Sequence, residues 1–421
     1  MLDKARLYAE SKKCIRCGLC QAVCPSYRAV RNEASVARGR NRLIRQLLEG
    51  QLSMTPRLKE DMFACLGCQA CQTNCPAGVI TPELISALKA EYIEKDGLPF
   101  IQTAILRGVL PHTKRFAAAM KMFKLGQTLK IVPGVASKMP ETLSGRLAAI
   151  PEHLPKPLSE ELGHHDFPKE TKVAYFLSCT TNYMFPDLGW DALDVLEKSG
   201  HRAAILTETV CCGKPQASLG DKETALKMAI HNIKALNKLQ VDAVITDCAT
   251  CGSALKEYPQ WLKGHPMEEE AKRLADKVYD ISDYLVKKGF KVGSRQQNLK
   301  VTYHDPCHLN HVLNVRKEPR EILKALPGVE FVESPDADRC CGGAGSFCLT
   351  HPEISEKILE PKVSSIVSTN PDLVATGCPM CKIQLHYGLR KTDIKVVHPV
   401  ELLARSFSEK SQRPDYSLKN L

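Results

Sequence analysis

The sequence predicts an α+β multidomain protein in which a helical N-terminal domain precedes two pseudo-symmetric α/β domains. A chain of 421 residues is long enough for two or three domains, since one domain usually takes roughly 100–200 residues. Its 19 cysteines fall into three groups, at 14–75, 179–251 and 307–381. The second and third groups match each other at offsets of 128 to 130 residues, which indicates an internal duplication.

The N-terminal domain is predicted to be helical because of the segment between its two cysteine motifs. This segment covers residues 25–64 and includes the helix-period stretch GRNRLIRQLLEG. We expect the domain to span 1–97 and a basic helical connector to span 98–170.

The two duplicated copies each alternate short apolar runs with helix-period segments. Predicted strands are VAYFLSC, AAIL and VDAVITDC in the first copy, and LKVTYHDPC, VEFVES, PDLVATGC and IKVVHP in the second. Predicted helices are DALDVLEKSG, ETALKMAIHNIKALNKL, PREILKAL and EISEKILEPKVSSIVS. This alternation predicts parallel sheets covered by helices, in domains at 171–290 and 298–403. Residues 286–299 are a predicted linker, and 404–421 a predicted polar tail.

Composition and charge narrow the class of protein. Apolar content of 43% and charged content of 25% are typical of a soluble globular chain. No run approaches the roughly 18 apolar residues of a spanning helix, and the start, MLDKARLYAESKKC, has no apolar core like that of a signal peptide. We therefore expect a cytoplasmic protein. The net charge of +11 is interspersed with acidic residues, so no nucleic-acid partner is predicted.

The N-terminal cysteines predict two [4Fe–4S] clusters. CIRCGLCQAVCP and CLGCQACQTNCP both fit the C-x2-C-x2-C-x3-C-P pattern of two-cluster ferredoxins, in which the fourth cysteine ligates the other cluster. The predicted ligands are Cys14, Cys17, Cys20 and Cys75 for one cluster, and Cys65, Cys68, Cys71 and Cys24 for the other. Zinc is the alternative, since C-x2-C pairs also build zinc sites, but the third cysteine and the terminal Cys-Pro favour iron.

The duplicated groups predict two further metal centres. Each has five cysteines: Cys179, Cys211, Cys212, Cys248 and Cys251 in the first quintet, and Cys307, Cys340, Cys341, Cys378 and Cys381 in the second. Five thiols exceed the needs of one tetrahedral ion, and adjacent cysteines more easily bind different irons of a cluster. Cys348 has no counterpart in the first copy and is predicted to be an ordinary core or loop thiol.

The quintet pattern resembles the CCG, or cysteine-rich, domain of heterodisulfide reductases and of glycolate oxidase, lactate-utilisation and anaerobic glycerol-3-phosphate dehydrogenase subunits. Two ferredoxin motifs followed by two CCG domains resemble the iron–sulfur subunits of glycolate oxidase and its D-lactate dehydrogenase relatives. SVARGRNRLIRQLLEG, PAGV, CCGGAGSFCLTHPEIS and HPVELLA support this resemblance. CCGKPQASLGD and GCPMC are closer to heterodisulfide reductase or glycerol-3-phosphate dehydrogenase relatives.

The resemblance implies the iron–sulfur subunit of an oxidoreductase complex. An FAD-containing partner subunit would oxidise a 2-hydroxy acid such as glycolate or lactate, and this chain would relay the electrons one at a time toward a quinone or another carrier. It also implies up to two more [4Fe–4S] clusters in the quintets, cubane or non-cubane. The alternatives are a heterodisulfide-reductase-like subunit that cleaves a disulfide at a CCG cluster, or the subunit of anaerobic glycerol-3-phosphate dehydrogenase.

The second quintet carries histidines that the first lacks. His304, Asp305 and His308 surround Cys307, whereas Leu177, Ser178 and Thr180 surround Cys179. His304 and His308 are candidate catalytic residues, because histidine near its usual pKa could deliver protons to a reduced acceptor. The alternative is a local hydrogen-bonding role.

The connector contains a basic amphipathic stretch. Residues 97–140 include no acidic side chain, yet seven lysines and arginines stand among apolar residues. Such a stretch can contact an anionic membrane or an acidic partner, so a peripheral position at the inner face of the membrane is one expectation and a solvated connector the other. No G-x-G-x-x-G, P-loop or G-x-S-x-G motif is present, so a flavin or nicotinamide must bind elsewhere.

Overall fold

The computed structural model describes residues 4–136, 138–139, 144–146, 150, 154–162, 172–206 and 208–407. The N-terminal part is helical, as predicted. Its helices are Lys4–Lys12, Leu19–Val23, Pro25–Val30, Ala37–Leu48, Pro56–Phe63, Ala70–Thr73 and Thr81–Asp96, with a 3-10 turn at Glu33–Ser35. The Pro56–Phe63 helix begins where Thr55 accepts a hydrogen bond from the Leu58 amide and Pro56 occupies the first turn. Apolar faces of these helices share a core that includes Ile44, Met62 and Leu84.

The connector lies against the α/β domains through its helices. These are Phe100–Thr103, a π-helical turn at Ala104–Val109, Thr113–Thr128, Ile131–Ala136 and Leu158–Leu162. Arg107 forms an ion pair of 2.8 Å with Asp221, whose side chain is almost fully buried. Leu158 is fully buried in the core of the α/β domains. The connector is therefore fixed at both ends.

The first copy contains a four-stranded parallel sheet. Its strands are β1 (Val173–Tyr175), β2 (Ala203–Ile205), β3 (Ala243–Thr246) and β4 (Val278–Asp280), in the spatial order β2–β1–β3–β4. The register pairs Val173 with both Ala203 and Ala243. The helices of this copy are Cys179–Met184, Pro186–Lys198, Lys214–Leu219, Lys222–Asn237, Ala249–Trp261, Glu268–Asp276 and Ile281–Lys288.

The second copy has a sheet of the same order. Strands β5 (Leu299–His304), β6 (Val329–Phe331), β7 (Leu373–Thr376) and β8 (Lys395–Val397) are parallel and lie in the order β6–β5–β7–β8. Its helices are Cys307–His311, Glu318–Ala325, Phe347–Thr350, Pro352–Val367, Pro379–Gly388 and Pro399–Phe407. Two hydrophobic cores each take side chains from both copies, so the sheets are packed as one body.

The predicted parallel sheets and their seven strands are confirmed, while three details differ. Strand β4 was missed, because three residues, of which Tyr279 is only partly buried, give no periodicity to detect. The predicted linker 286–299 overlaps the end of the Ile281–Lys288 helix and the first residue of β5. The last helix extends to Phe407, into the predicted tail, because Leu402, Leu403 and Ala404 are buried; 408–421 lie outside the described residues.

Among the described residues, no helix combines the length and the apolar character needed to cross a bilayer. The basic connector helices are also too charged and too short for that role.

Candidate metal centres

The first cysteine motif lies in a short loop between helices. Gly18 has a φ of 90°, a left-handed conformation that favours glycine, and turns the chain into the Leu19–Val23 helix. Cys24 precedes Pro25 at the start of the next helix. Cys17 is exposed to solvent, whereas Cys24 is buried. One end of this motif therefore faces outward and the other faces the interior.

The buried cysteine of the first motif lies among thiols of the second. Burial and the neighbouring thiols of Cys65 and Cys24 raise the pKa of Cys71 far above its usual range. Cys24 Sγ lies 3.3 Å from Ser26 Oγ and 3.4 Å from the Ser35 carbonyl oxygen. The influence of the Cys24 thiol on Cys71 supports the prediction that Cys24 joins Cys65, Cys68 and Cys71 as a ligand of one cluster.

The fourth cysteine of the second motif lies beside the N-terminal hydrophobic core. Cys75, Cys14 and Cys65 each pack against this core. The Val79 amide donates a hydrogen bond of 3.4 Å to Cys75 Sγ, the kind of contact that tunes a metal-bound sulfur. The pairing of Cys75 with Cys14 in one ligand set stays a prediction.

The first quintet gathers at the carboxyl end of the first sheet. Cys179 begins a helix after β1, Cys248 precedes a helix after β3, and Cys211 and Cys212 lie in the loop after β2. Hydrogen bonds to Cys212 and Cys248, together with burial, raise the pKa of Cys251 well above its usual range. Hydrogen bonds with Cys179 and Cys212 and burial do the same for Cys211. All five thiols are thus linked by direct contacts.

The second quintet repeats this arrangement. Hydrogen bonds to Cys307 and Cys341, with burial, raise the pKa of Cys340 well above its usual range. The pKa of Cys381 is raised in the same way by hydrogen bonds to Cys341 and Cys378 and by burial. The Gly342 amide also donates a hydrogen bond of 3.3 Å to Cys340 Sγ.

A glycine with the same backbone conformation follows each cysteine pair. Gly213 and Gly342 both have a φ of 80°. A Cβ at Gly342 would lie 2.8 Å from the Ser355 carbonyl oxygen, and one at Gly213 would lie 3.3 Å from that of Ala225. The glycine of the motif is therefore needed for a left-handed turn and for close approach to a helix.

The two quintets are in direct contact. A hydrogen bond from Cys251 lowers the pKa of Cys248, but a hydrogen bond with Cys378 and burial outweigh it and raise the pKa well above its usual range. Thr250 Oγ1 lies 3.6 Å from Cys378 Sγ, and the Ala249 amide donates a hydrogen bond of 3.3 Å to the Gly377 carbonyl oxygen. The chain segments that carry the two C-x2-C pairs thus pack against each other.

The second quintet also contacts the N-terminal motifs. Burial and the nearby thiols of Cys307 and Cys71 raise the pKa of Cys68 well above its usual range. A cavity of about 700 Å³ between the N-terminal and second α/β domains is lined by Cys68, Cys307 and Cys340. The N-terminal motifs therefore lie beside the second quintet, which in turn packs against the first.

These donor sets fit iron–sulfur clusters. Thiolate is the ligand of such clusters, and each set supplies four or five sulfurs. The raised pKa of Cys251 and of Cys381 means that neighbouring thiols cannot all ionise unless positive charge compensates them. Metal ions bound by thiolates supply that charge.

The two candidate histidines lie beside the second quintet, His304 buried and His308 half-buried. Burial lowers the pKa of His308 to about 4, with the nearby cation of Lys214 adding to the effect. His304 is 1% exposed and ends strand β5. Asp305 instead forms an ion pair of 2.8 Å with Arg320, which indicates a structural role. Sequence comparison around Cys179 overlooked Phe176, which lies three residues before Cys179 just as His304 lies three before Cys307.

Cys348 lies outside the quintet contacts described above. Its Sγ donates a hydrogen bond of 3.4 Å to the Gly345 carbonyl oxygen. Burial raises its pKa to about 11. The predicted role as a loop thiol therefore stays a prediction that this geometry supports.

Several residues around the centres were not singled out from the sequence. Arg40 is 1% exposed and donates hydrogen bonds to the carbonyl oxygens of Asp61, at 2.8 Å, and Ser35, at 2.6 Å. Burial lowers the pKa of Lys89 to about 8, and its Nζ lies 3.2 Å from the carbonyl oxygens of both Cys65 and Ser218. The sequence feature that could have pointed to Arg40 is the arginine-rich helix between the N-terminal motifs, in which it lies.

Comparison with known proteins identifies the same modules. A model described as a 4Fe-4S dicluster domain matches residues 10–79, and a cysteine-rich domain model matches residues 173–256 and 301–386. The chain is 31% identical to the probable glycolate oxidase iron-sulfur subunit of Bacillus subtilis, over 96% of this chain and 95% of the relative. It is 29% identical to one subunit of the dihydromethanophenazine:CoB--CoM heterodisulfide reductase of Methanosarcina barkeri, over 94% of each chain. Lactate utilization protein A of Oceanobacillus iheyensis is 33% identical, over 55% of this chain and 96% of the relative.

Proposed function

Because this chain belongs to the family of glycolate oxidase iron–sulfur subunits, we propose that it is the electron-transfer subunit of an oxidoreductase complex. It takes electrons from a partner FAD-containing subunit that oxidises a 2-hydroxy acid, glycolate or lactate, and passes them one at a time toward a quinone or another carrier. The observation that carries this proposal is the order of the cysteine sets: Cys68 lines the same cavity as Cys307 and Cys340, and the C-x2-C segments of the two quintets pack against each other.

Four clusters are proposed along this line, with the ligand sets predicted above. Each bound [4Fe–4S] cluster would accept and release one electron, which matches a donor that delivers two electrons separately. The chain buries seven of the ten quintet cysteines, including Cys248 and Cys378 where the two quintets adjoin, so water is largely excluded there. We propose cubane clusters at 14–75 and leave cubane or non-cubane types open for the quintets.

We propose the domain limits given above and a pseudo-symmetric relation between the α/β copies. Support comes from the identical strand order of the two sheets and from the two matches to the cysteine-rich domain model. The pseudo-symmetric pair and the N-terminal domain together would carry the relay.

The partner is proposed to dock beside the exposed cysteine of the first motif. Cys17 is exposed, and the flanking Ile15 and Leu19 leave 68% and 54% of their surface accessible. Arg16 and Arg42 are exposed beside them. An apolar centre with a basic rim suits a partner that presents an acidic rim around its redox group, because electrostatic complementarity accelerates and orients association.

The connector is proposed to contact an anionic membrane peripherally. Phe100, Ile101 and Met122 are 87%, 71% and 75% exposed, and Leu125, Leu129 and Ile131 are more than half exposed. Lys114, Lys124 and Lys130 are exposed on the same segment. Co-sedimentation with phosphatidylglycerol but not phosphatidylcholine vesicles is expected. A Lys114→Glu/Lys124→Glu/Lys130→Glu variant should lose it, whereas Lys227→Glu and Lys238→Glu should not.

The proposed function is tested on the native complex, purified anaerobically through a tag on this chain. We expect a flavoprotein to co-purify and the cluster absorbance to bleach when glycolate or D-lactate is added. A Cys378→Ser variant should still bind the flavoprotein but pass electrons to an acceptor at least tenfold more slowly. Bleaching by neither acid, with dithionite still reducing the clusters, would contradict the assignment.

Disulfide reduction is the second candidate, favoured by the contact between the two quintets and by the heterodisulfide reductase relative. His308, half-buried next to Cys307 in the sequence, would be the candidate residue to relay a proton in that case, its lowered pKa keeping the ring neutral between transfers. Turnover of a disulfide by the isolated chain with a reduced viologen dye, abolished by His308→Ala, would support it. For the remaining alternative, a subunit of an anaerobic glycerol-3-phosphate dehydrogenase, glycerol 3-phosphate replaces the hydroxy acid as the test substrate.

A further inference from the structure

A buried histidine beside the second quintet has no oxygen or nitrogen partner for either ring nitrogen within the described part of the chain. The His304 ring is 1% exposed, and the polar group that it meets there is the thiol of Cys341. A thiol is only a weak hydrogen-bonding group, whereas buried polar groups are nearly always satisfied. A ligand shared by the ring and the thiol would satisfy both.

The surroundings of this ring identify the ligand as a metal. One His304 ring nitrogen and the Sγ atoms of Cys341 and Cys381 all lie within 4.8 Å of one another. One imidazole nitrogen and two thiolates are a combination that binds iron or zinc. Both cysteines belong to the second quintet, so the same metal group would be bound by all three side chains.

The other buried histidine in this copy differs. His398 accepts a hydrogen bond of 3.2 Å from the Val400 amide at Nδ1, so one of its nitrogens is satisfied by backbone. The first copy offers no alternative donor at the matching position, since Phe176 stands there with 1% of its surface exposed. The feature is therefore specific to one copy.

We propose that His304 is a sixth protein ligand of the iron–sulfur cluster held by the second quintet, and that the first quintet has no equivalent. The inference rests on the proposed function only in requiring a cluster at the second quintet. A neutral nitrogen ligand adds no negative charge to a site rich in thiolates, and histidine ligation raises the reduction potential of iron–sulfur centres. The second quintet would then be reduced more easily than the first.

The experiment uses the full chain, reduced with dithionite, so that it does not depend on any partner subunit. Pulsed EPR is recorded on protein grown with natural-abundance nitrogen and with ¹⁵N-histidine. We expect a strong nitrogen coupling, typical of metal-bound imidazole, that changes to the ¹⁵N pattern on labelling. Absence of such a coupling, or only the weak coupling of a hydrogen-bonded ring, would overturn the proposal even if the clusters are present and the relay works.

Substitutions identify the residue that supplies the coupled nitrogen. His304→Ala should lose the strong coupling and lower the midpoint potential of one cluster, while His398→Ala and His308→Ala should keep the coupling. Phe176→His should add a second coupling by giving the first quintet the same donor. If His304→Ala does not fold, the labelled native protein and Phe176→His still decide, and a strong coupling that persists in His304→Ala would contradict the assignment.

Discussion

The side chains of Cys248 and Cys378 are in direct contact although they belong to different copies of the duplicated domain. Their contact joins two predicted metal-binding sets whose matching cysteines are 130 positions apart in the sequence. Because electron transfer between sites slows steeply with distance, we expect clusters bound by these adjacent sets to exchange electrons.

Removing one of these two thiols should affect both quintets. We expect Cys378→Ser to reduce iron content by up to one cluster and to alter the EPR signal of the cluster at the first quintet as well. Cys348→Ser, which removes a thiol outside the quintets, should leave iron content and spectra unchanged. An unaltered first-quintet signal in Cys378→Ser would argue against coupling.

The crossing of the N-terminal motifs predicts which cluster each substitution removes. Cys24→Ser should disturb the cluster that includes Cys68, next to the second quintet, and so interrupt transfer into the α/β domains. Cys75→Ser should instead disturb the cluster beside exposed Cys17 and reduce electron uptake from the partner. Iron analysis and EPR of each variant distinguish the two outcomes, and identical spectra would contradict the crossing.

The glycine after the second cysteine pair is expected to be intolerant of a side chain. Gly342→Ala imposes a left-handed conformation on alanine, which costs about 1–2 kcal/mol, and brings its Cβ to 2.8 Å from the Ser355 carbonyl oxygen. We expect a lower free energy of unfolding and loss of the second-quintet cluster. Gly345→Ala, at a φ of 63° with open space around it, carries only the conformational cost and should retain the cluster.

A largely buried ion pair within the first α/β domain is hydrogen-bonded to the N-terminal domain. Lys214 and Glu257 are paired at 2.6 Å with 9% and 14% of their side chains exposed, and Glu257 also accepts a hydrogen bond of 2.6 Å from Gln69. Glu257→Gln should lower the free energy of unfolding by about 2 kcal/mol, because it leaves a buried ammonium without its counter-charge. Glu223→Gln, whose pair with Lys227 is exposed, should change it by less than about 0.5 kcal/mol.

Stability should depend on pH through Asp280. Burial raises the pKa of its carboxyl to about 8, against about 3.9 in an unfolded chain. The folded state therefore holds the proton more tightly, so the free energy of unfolding falls as pH rises from about 4 to about 8. Asp280→Asn, which can still accept the Ser282 amide, should flatten this decline. Exposed Asp242→Asn serves as the control in urea unfolding at pH 5 and pH 7.5.

The sheets could be predicted because they are encoded locally, in the alternation of strands and helices. The candidate metal ligands are likewise marked by short local spacings, Cys14 to Cys24 and Cys248 to Cys251, and their binding of metal stays a prediction. Burial of charged groups could not be predicted in this way. Arg40 and Lys89 stand in helices that read as ordinary amphipathic segments, and only tertiary packing shows that both are buried.

Contacts between domains could not be predicted from the sequence either. Nothing in the loops around Cys68 and Cys307 indicates that they meet, since the contact depends on how the N-terminal helices dock on the second copy. The role proposed for His304 depends on the direction and burial of its ring. Phe176 can be identified as its counterpart because strands β1 and β5 occupy the same position in the two sheets.

The order of the domains in space differs from their order along the chain. The N-terminal motifs meet the second copy through Cys307, and the second copy meets the first through Cys378. A chain that stopped after residue 290 would retain the cysteines of three proposed centres but lack the quintet that lies between Cys68 and Cys248 in the proposed relay. Because the last domain is synthesised last, we expect the relay to be completed only at the end of translation.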